Sequence, residues 1–582
     1  MNAIKSSAAL AALMLGTSAQ VPAWDDQGNG IQHVLLISID GMHAVDFINC
    51  ASGVSGIAPY CPNLTQLKQH GLNYLEASTS RPSDSFPGLM AIVTGGSPRT
   101  YGAFYDVAYD RSLAPPSVKT GNGLLPGPCT PGVLNGTSTE YEEGIDIDQT
   151  LLNGGAPAGG DGGVESIHPG RLPRDPARNC APVFPWAFIR TNTVYGVIHQ
   201  AGGYTAWSDK HPAYSSVAGP NTSGPANVAQ NLDDYFSPEI NSIPIALPFP
   251  GCSGADDPNF SSLGSYTDSF VFTRCYDQLK VVAVLNLIDG FTHNRSKPAP
   301  VPTIFGMNFQ AVSVAQKLIE PNVGAGGYTD STGTPTTELL ASIRYVDGAL
   351  GSFVAELRKQ GLLASTLIII TAKHGQSPVD SARYVRITST GPLTTSPSRI
   401  IDNCLPDSQS NAGGQIGPTE DDVSLLWLKP SCSTETEVTT LETTSPTSAN
   451  IAGIGQIFWG SGLTQMFNAP GLPPKDPRSP DIIVAPNVGV TYSKSTAKLA
   501  EHGGFAHDDT NVMLLLSNPS FSPRTFTAPV QTAQVAPTLL QALGLKPQSL
   551  QAVRIEGTQV LPGLPQNGQQ GQQGQQGQQG ED

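Results

Sequence analysis

Residues 33–42 read His-Val-Leu-Leu-Ile-Ser-Ile-Asp-Gly-Met. Val34, Leu35, Leu36, Ile37 and Ile39 leave almost no polar alternation. A run of that kind predicts a strand buried on both faces, as in a parallel sheet sandwiched between helices. It ends at Asp40-Gly41. In open α/β sheets ligands gather beyond the carboxyl ends of the strands, so Asp40 either binds something or caps the next helix.

The same character recurs at 366–371, 423–428, 481–485 and 512–517, and residues 279–289 (LKVVAVLNLID) are read as a further strand. Helical periodicity lies between them, at 63–69, 193–201, 310–318, 336–360 and 533–543. The clearest case is 336–360, where Leu339, Ile343, Val346, Leu350, Val354 and Leu357 form one stripe. Alternating strands and helices predict an α/β fold, with a mostly parallel central sheet covered by helices on both faces. Gly/Pro/Ser-rich stretches at 114–178, 221–268 and 377–420 predict long loop insertions.

The chain of 582 residues carries 47 acids against 31 bases, a net charge of −16. That balance leaves no broad electrostatic footprint for a nucleic-acid duplex. Residues 8–15 form a short apolar run after Lys5, with small residues at 17–19 and 21–23. Residues 1–23 are therefore read as a secretory signal peptide, and no later apolar run is long enough to span a bilayer. The eight cysteines, Cys50, Cys61, Cys129, Cys180, Cys252, Cys275, Cys404 and Cys432, are widely spaced, and disulfides between sequence neighbours are expected in an exported chain. The Gly-Gln-Gln repeats of 566–582 predict a disordered tail.

Four clusters place polar residues beside apolar runs. The first is Asp40-Gly41. The second is Ser83-Asp84-Ser85-Phe86-Pro87-Gly88, which puts Ser85 at a helix start, as an anion contact or an N-cap. The third is Asp289 and His293, four apart, which can converge on a metal such as zinc. The fourth pairs Lys373-His374-Gly375 with His502-Gly503-Gly504. A further group, Asp209-Lys210-His211, is read either as a contact to an anion or leaving group, or as a polar strand-end loop.

Taken in order, these clusters resemble the alkaline phosphatase superfamily, in particular its type I phosphodiesterase/nucleotide pyrophosphatase branch. Ile39-Asp40-Gly41, Ser85-Phe86-Pro87, Thr94-Gly95, Asp289…His293, His374-Gly375 and His502-Gly503 carry the resemblance over roughly 32–545. It implies an alkaline-phosphatase-like domain over 24–565, with disulfide-stapled insertions near 110–185, 215–275 and 377–480. It also implies a secreted, periplasmic or extracellular hydrolase of small phosphoesters or nucleotides, with one or two divalent metals, zinc first. Asp289, His293 and His502 would hold one metal. Asp40, His374 and the Ser85 oxygen would hold the other, and Ser85 would form a covalent phospho-serine. Asp209, Lys210 and His211 would contact substrate. Related activities on sulfate, phosphonate or phosphomonoesters, or a weakened binding module, are the alternatives.

Two departures bear on that reading. Lys373 stands where the family has Asp. Either it weakens or replaces the second metal and supplies a positive charge near Ser85, which is the preferred reading, or it swings away while Asp84, Asp46 or Asp508 completes the shell. Gly88 stands where relatives often carry Asn. Sulfatases further need an Arg that the Ser85 segment lacks.

Overall fold

The computed structural model describes residues 30–222, 225–388, 395–445, 451–467 and 476–564. The expected signal peptide and the Gly-Gln-rich tail lie outside the described residues.

An eight-stranded sheet organises the chain. Its spatial order is Arg524–Phe526, Gly71–Tyr74, Leu514–Ser517, Thr366–Thr371, His33–Ile39, Ile304–Phe309, Ala206–Ser208, Asp234–Phe236. His33–Ile39 pairs in parallel with both Ile304–Phe309 and Thr366–Thr371. Only Leu514–Ser517 runs against its neighbours. The opening strand alternates between two cores. Val34 and Leu36 join one with Phe86, Leu89, Ile369 and Leu539. Leu35, Ile37 and Ile39 join the other with Val281, Leu350, Phe353 and Ile370. Each such side chain contributes about 1.5–3 kcal/mol on full burial, which explains the near absence of polar residues from these strands.

The helices Thr337–Lys359, Val194–Gln200 and Val535–Ala542 form where periodicity predicts them. Thr336 caps the first, its side chain accepting from the Leu339 amide. Residues 279–289 are a correction. They belong not to a strand but to the 19-residue helix Phe270–Ile288, capped by Ser269. Its apolar residues face both the sheet and the neighbouring helix Thr337–Lys359. Its half-buried face mixes Arg274, Gln278 and Asn286 with Val271, Leu279, Val282 and Leu285, so no cleanly polar face shows and the apolar run reads as a strand. Even Lys280 is inside, 3.1 Å from Asp277.

The insertions carry structure of their own. Thr137–Glu140 pairs with Val107–Asp110, and a four-stranded antiparallel sheet joins Thr419–Glu420, Ser424–Leu426, Ile482–Pro486 and Ile454–Trp459. Four disulfides link sequence neighbours: Cys50–Cys61, Cys129–Cys180, Cys252–Cys275 and Cys404–Cys432. Among the described residues, no helix is long and apolar enough to cross a membrane.

Candidate active site

Four parallel strands deliver polar groups at one edge of the sheet. Asp40 follows His33–Ile39, Lys373 and His374 follow Thr366–Thr371, Asp209 and Lys210 follow Ala206–Ser208, and Gln310 follows Ile304–Phe309. The antiparallel Leu514–Ser517 starts at this edge, which brings the preceding His502 there as well.

Ser85 opens the helix Ser85–Thr94 and is fully buried. Asp84 is its N-cap, with Oδ2 accepting from the Phe86 amide at 3.1 Å. The unpaired amides of this helix start favour negative charge beside the Ser85 hydroxyl. Gly88, one turn on, lets the helix touch the next strand end: a Cβ there would lie 2.0 Å from the Lys373 carbonyl oxygen. The asparagine often found at this place in relatives has no room.

Two groups meet the Ser85 Oγ. Lys210 Nζ donates to it at 3.1 Å, and His374 Nε2 is 3.1 Å away. His374 Nδ1 lies 2.7 Å from the Gly375 carbonyl. A carbonyl only accepts, so the ring proton is assigned to Nδ1 and Nε2 is left as an acceptor for the Ser85 proton. Burial first, then neighbouring His502, pushes His374 down to about 4. The His502 ring stacks on His374, centroids 3.9 Å apart. Burial opposes its charge, but Asp84 and Glu501 outweigh that and raise it to about 9. The pair thus joins a neutral imidazole to an imidazolium.

Charges around the serine are matched. Asp40 Oδ2 accepts from Gln310 Nε2 at 2.7 Å and lies 3.7 Å from His374 Nε2 and 4.0 Å from Lys373 Nζ. Burial alone would raise Asp40, but Lys373 first, then His374 and Lys210, hold it well below the usual carboxylate range. Lys373 stays in the site: its Nζ donates to both Asp209 oxygens, at 2.9 and 3.1 Å, and sits 3.9 Å over the Tyr214 ring. Trp207 Nε1 donates to the same carboxylate at 2.9 Å. Lys210 also pairs with Glu142, which it draws down to about 2 against the effect of burial. Asp46 and Asp508 do not join this cluster; Asp46 binds His43 and Tyr328, and Asp508 accepts from the Val379 amide. His211 turns away from Ser85, to Glu239 at 2.9 Å.

Asp289 and His293 lie elsewhere. Asp289 caps the end of Phe270–Ile288 and pairs with Arg295 at 2.7 Å and Gln360 at 2.6 Å. His293 lies between Asp161 and Asp234 and stacks on Phe236. Their loop precedes Ile304–Phe309, whose far end reaches Gln310; six strand residues, roughly 20 Å, separate it from Asp40. The expected ligand set Asp289–His293–His502 is therefore not assembled. The cause is the helix misread as a strand, which puts its carboxyl end at the wrong edge of the sheet. Glu142, Gln310 and Tyr214 are neighbours that the sequence did not mark. Each comes from an insertion or a helix start without a motif.

The type I phosphodiesterase/nucleotide pyrophosphatase family matches residues 34–136 and 327–506, and the sulfatase family matches 196–415. The chain belongs to the alkaline phosphatase superfamily. Within it the chain is of the nucleotide pyrophosphatase/phosphodiesterase type. Murine and human ectonucleotide pyrophosphatase/phosphodiesterase 5 are similar in structure. The murine protein shows 13% identity and a TM-score of 0.48, with 88% of this chain and 96% of that chain covered. The human protein shows 13% and 0.47 over the same shares. No curated protein matches the chain.

Members of this superfamily use divalent metals, and the donor set here does not fit a metal pair. His502 has no partner ligands from Asp289 or His293. Asp40, His374 and Ser85 face each other, but Lys210 and Lys373 stand against the same donors at 3.1 and 4.0 Å. A dication on those donors would meet two ammonium groups, a repulsion on the order of several kcal/mol for each.

Proposed function

We propose that the chain is an exported phosphoester hydrolase of the phosphodiesterase type, with Ser85 as nucleophile. One observation carries this: the Ser85 Oγ lies between a donating ammonium and an accepting imidazole nitrogen, both at 3.1 Å, at the start of a buried helix. His374 Nε2 takes the Ser85 proton as Oγ bonds to phosphorus. The bond from phosphorus to the leaving oxygen breaks, and cationic His502 gives that oxygen its proton. Lys210 and the helix-start amides face the phosphoryl oxygens, where charge is held in the transition state. Lys373 fixes Asp209 and adds a second positive charge. Water, giving its proton to the now neutral His502, then attacks phosphorus. The bond to Oγ breaks, and Ser85 recovers its proton from His374. The four disulfides support an oxidising, exported location.

The family match over 34–136, which contains Ser85, favours phosphodiesters, whereas the sulfatase match favours sulfate esters. Turnover of bis-p-nitrophenyl phosphate, p-nitrophenyl phosphate and p-nitrophenyl sulfate separates the two. The diester should lead, and Ser85→Ala should lose about 10³-fold or more. A ranking led by the sulfate, or unchanged turnover in Ser85→Ala, would overturn the assignment.

A further inference from the structure

Five Asn-x-Ser/Thr triplets stand in the chain, at Asn63, Asn135, Asn221, Asn259 and Asn294. Such a triplet accepts an N-linked glycan, a bulky group that belongs at the surface. In four of them the fold takes up Nδ2, the atom that would carry the sugar. Asn63 Nδ2 donates to Asp347 at 2.9 Å, and Asn294 Nδ2 donates to Asp161 at 2.6 Å. Asn221 Nδ2 donates to the Pro225 and Val228 carbonyls, and Asn259 Nδ2 to Glu320 and the Pro321 carbonyl. Asn135 differs. It is exposed, and its side chain makes no hydrogen bond among the described residues. Directly after it Gly136, at φ +75°, turns the chain into the strand Thr137–Glu140. The surface around it is apolar. Leu134 is 69% exposed, more than any other large apolar side chain among the described residues, and Leu125 and Val133 are about half exposed. Leu125, Leu134 and Asn135 line one cavity of about 680 Å³, with Tyr109, Asp407 and Lys429 on its wall. Apolar side chains bared together mark a surface that something covers.

We propose that Asn135 carries an N-linked glycan and that its first sugars lie over Leu125, Val133 and Leu134. A sugar ring has an apolar C–H face and a rim of hydroxyls. Leucine and tyrosine side chains beside a carboxylate and an ammonium offer it both kinds of contact. The sugar donor is a lipid-linked oligosaccharide. Nδ2 bonds to C1 of its first sugar, the bond from C1 to the lipid diphosphate breaks, and the proton that Nδ2 loses passes to the medium. Attachment precedes folding, so the fold then selects among the acceptors. A sugar on any of the other four competes with the hydrogen bonds described above, whereas on Asn135 it displaces only water. This site rests on the export put forward with the proposed function and not on Ser85 being the nucleophile.

The test is to secrete the full-length chain from yeast and map its peptides by mass spectrometry. Treatment with peptide N-glycosidase F in heavy-oxygen water converts each glycan-bearing Asn to a labelled Asp. Label is expected at position 135 and at none of 63, 221, 259 and 294. An unlabelled position 135, or label at any of the other four, overturns the proposal. Sedimentation velocity tests the covering role. Stripping the glycan from the folded protein should produce oligomers that the glycosylated chain does not form, and Leu134→Asp should abolish them. A stripped chain that sediments as a monomer would defeat that role. Because the mapping needs no variant, it reads the site even if Leu134→Asp fails to fold. Turnover of bis-p-nitrophenyl phosphate should be unchanged by stripping. Label at 135 together with full hydrolysis by Ser85→Ala would defeat the hydrolytic reading and leave this site standing.

Discussion

The imidazoles of His374 and His502 lie nearly parallel, with planes 16° apart and centroids 3.9 Å apart, and their surroundings drive them to opposite charge states. Two titrating groups pushed apart in this way are suited to serve as base and acid. His374 must be neutral to accept the Ser85 proton, so activity rises as pH climbs through about 4. His502 must be protonated to donate, so activity falls as pH climbs through about 9. The pH profile of kcat/KM should be a broad bell between these limits. His502→Gln should lower kcat by about 10²–10⁴ and remove the alkaline limb. A profile in that variant identical to the parent's would sink the role given to His502.

Lys373 keeps Asp209 neutralised inside the protein. Removing one partner of a buried pair costs about 3–5 kcal/mol, and Lys373→Asp adds a third carboxylate near Asp40 and Asp209. The metal-free variant should melt well below the parent. Zn2+ should recover much of that loss, because the new carboxylate joins Asp40 and His374 as a ligand. Melting curves with and without Zn2+ test this, with the parent, whose Tm Zn2+ should leave nearly unchanged, as the reference.

Gly88→Asn, the substitution that looks like a return to the family pattern, should fail. The added Cβ meets main-chain oxygen at 2.0 Å, and backbone cannot rotate aside as a side chain can. The expected loss is about 3 kcal/mol or more of stability, together with most of the activity, because the helix start carrying Ser85 must shift. Urea denaturation at neutral pH measures it.

Asp289→Ala should be nearly silent. The carboxylate binds Arg295 and Gln360 at the rim far from Ser85, and an ion pair of this partly exposed kind is worth about 0–1 kcal/mol. Hydrolysis within twofold of the parent is the expected result. A loss of two orders of magnitude would return Asp289 to the reacting centre.

Much of this arrangement is readable in the sequence because strand ends write themselves locally. His33–Ile39 and Thr366–Thr371 are short, almost entirely apolar in their interiors and sharply terminated, so the sequence alone puts Asp40, Lys373 and His374 at one sheet edge. Ser85 was marked by the turn before its helix. Asp289 and His293 are misplaced by the sequence because even the half-buried face of Phe270–Ile288 carries Val271, Leu279, Val282 and Leu285, so hydrophobicity alone gives it no helical signature. Glu142 is invisible for a different reason. It reaches Lys210, and through it the serine, from a strand pair within a stretch of glycines and prolines, and nothing local encodes that long-range pairing.

The strand Leu514–Ser517 lies between Gly71–Tyr74 and Thr366–Thr371, so a segment made near the end of synthesis separates two made long before. Until it emerges, both earlier strands present bare edges, and the loop holding His502 has no anchor. The sheet therefore closes only after translation is almost complete. A chain cut short near residue 510 would keep nine-tenths of its length and still expose open strand edges to other chains, an invitation to aggregate.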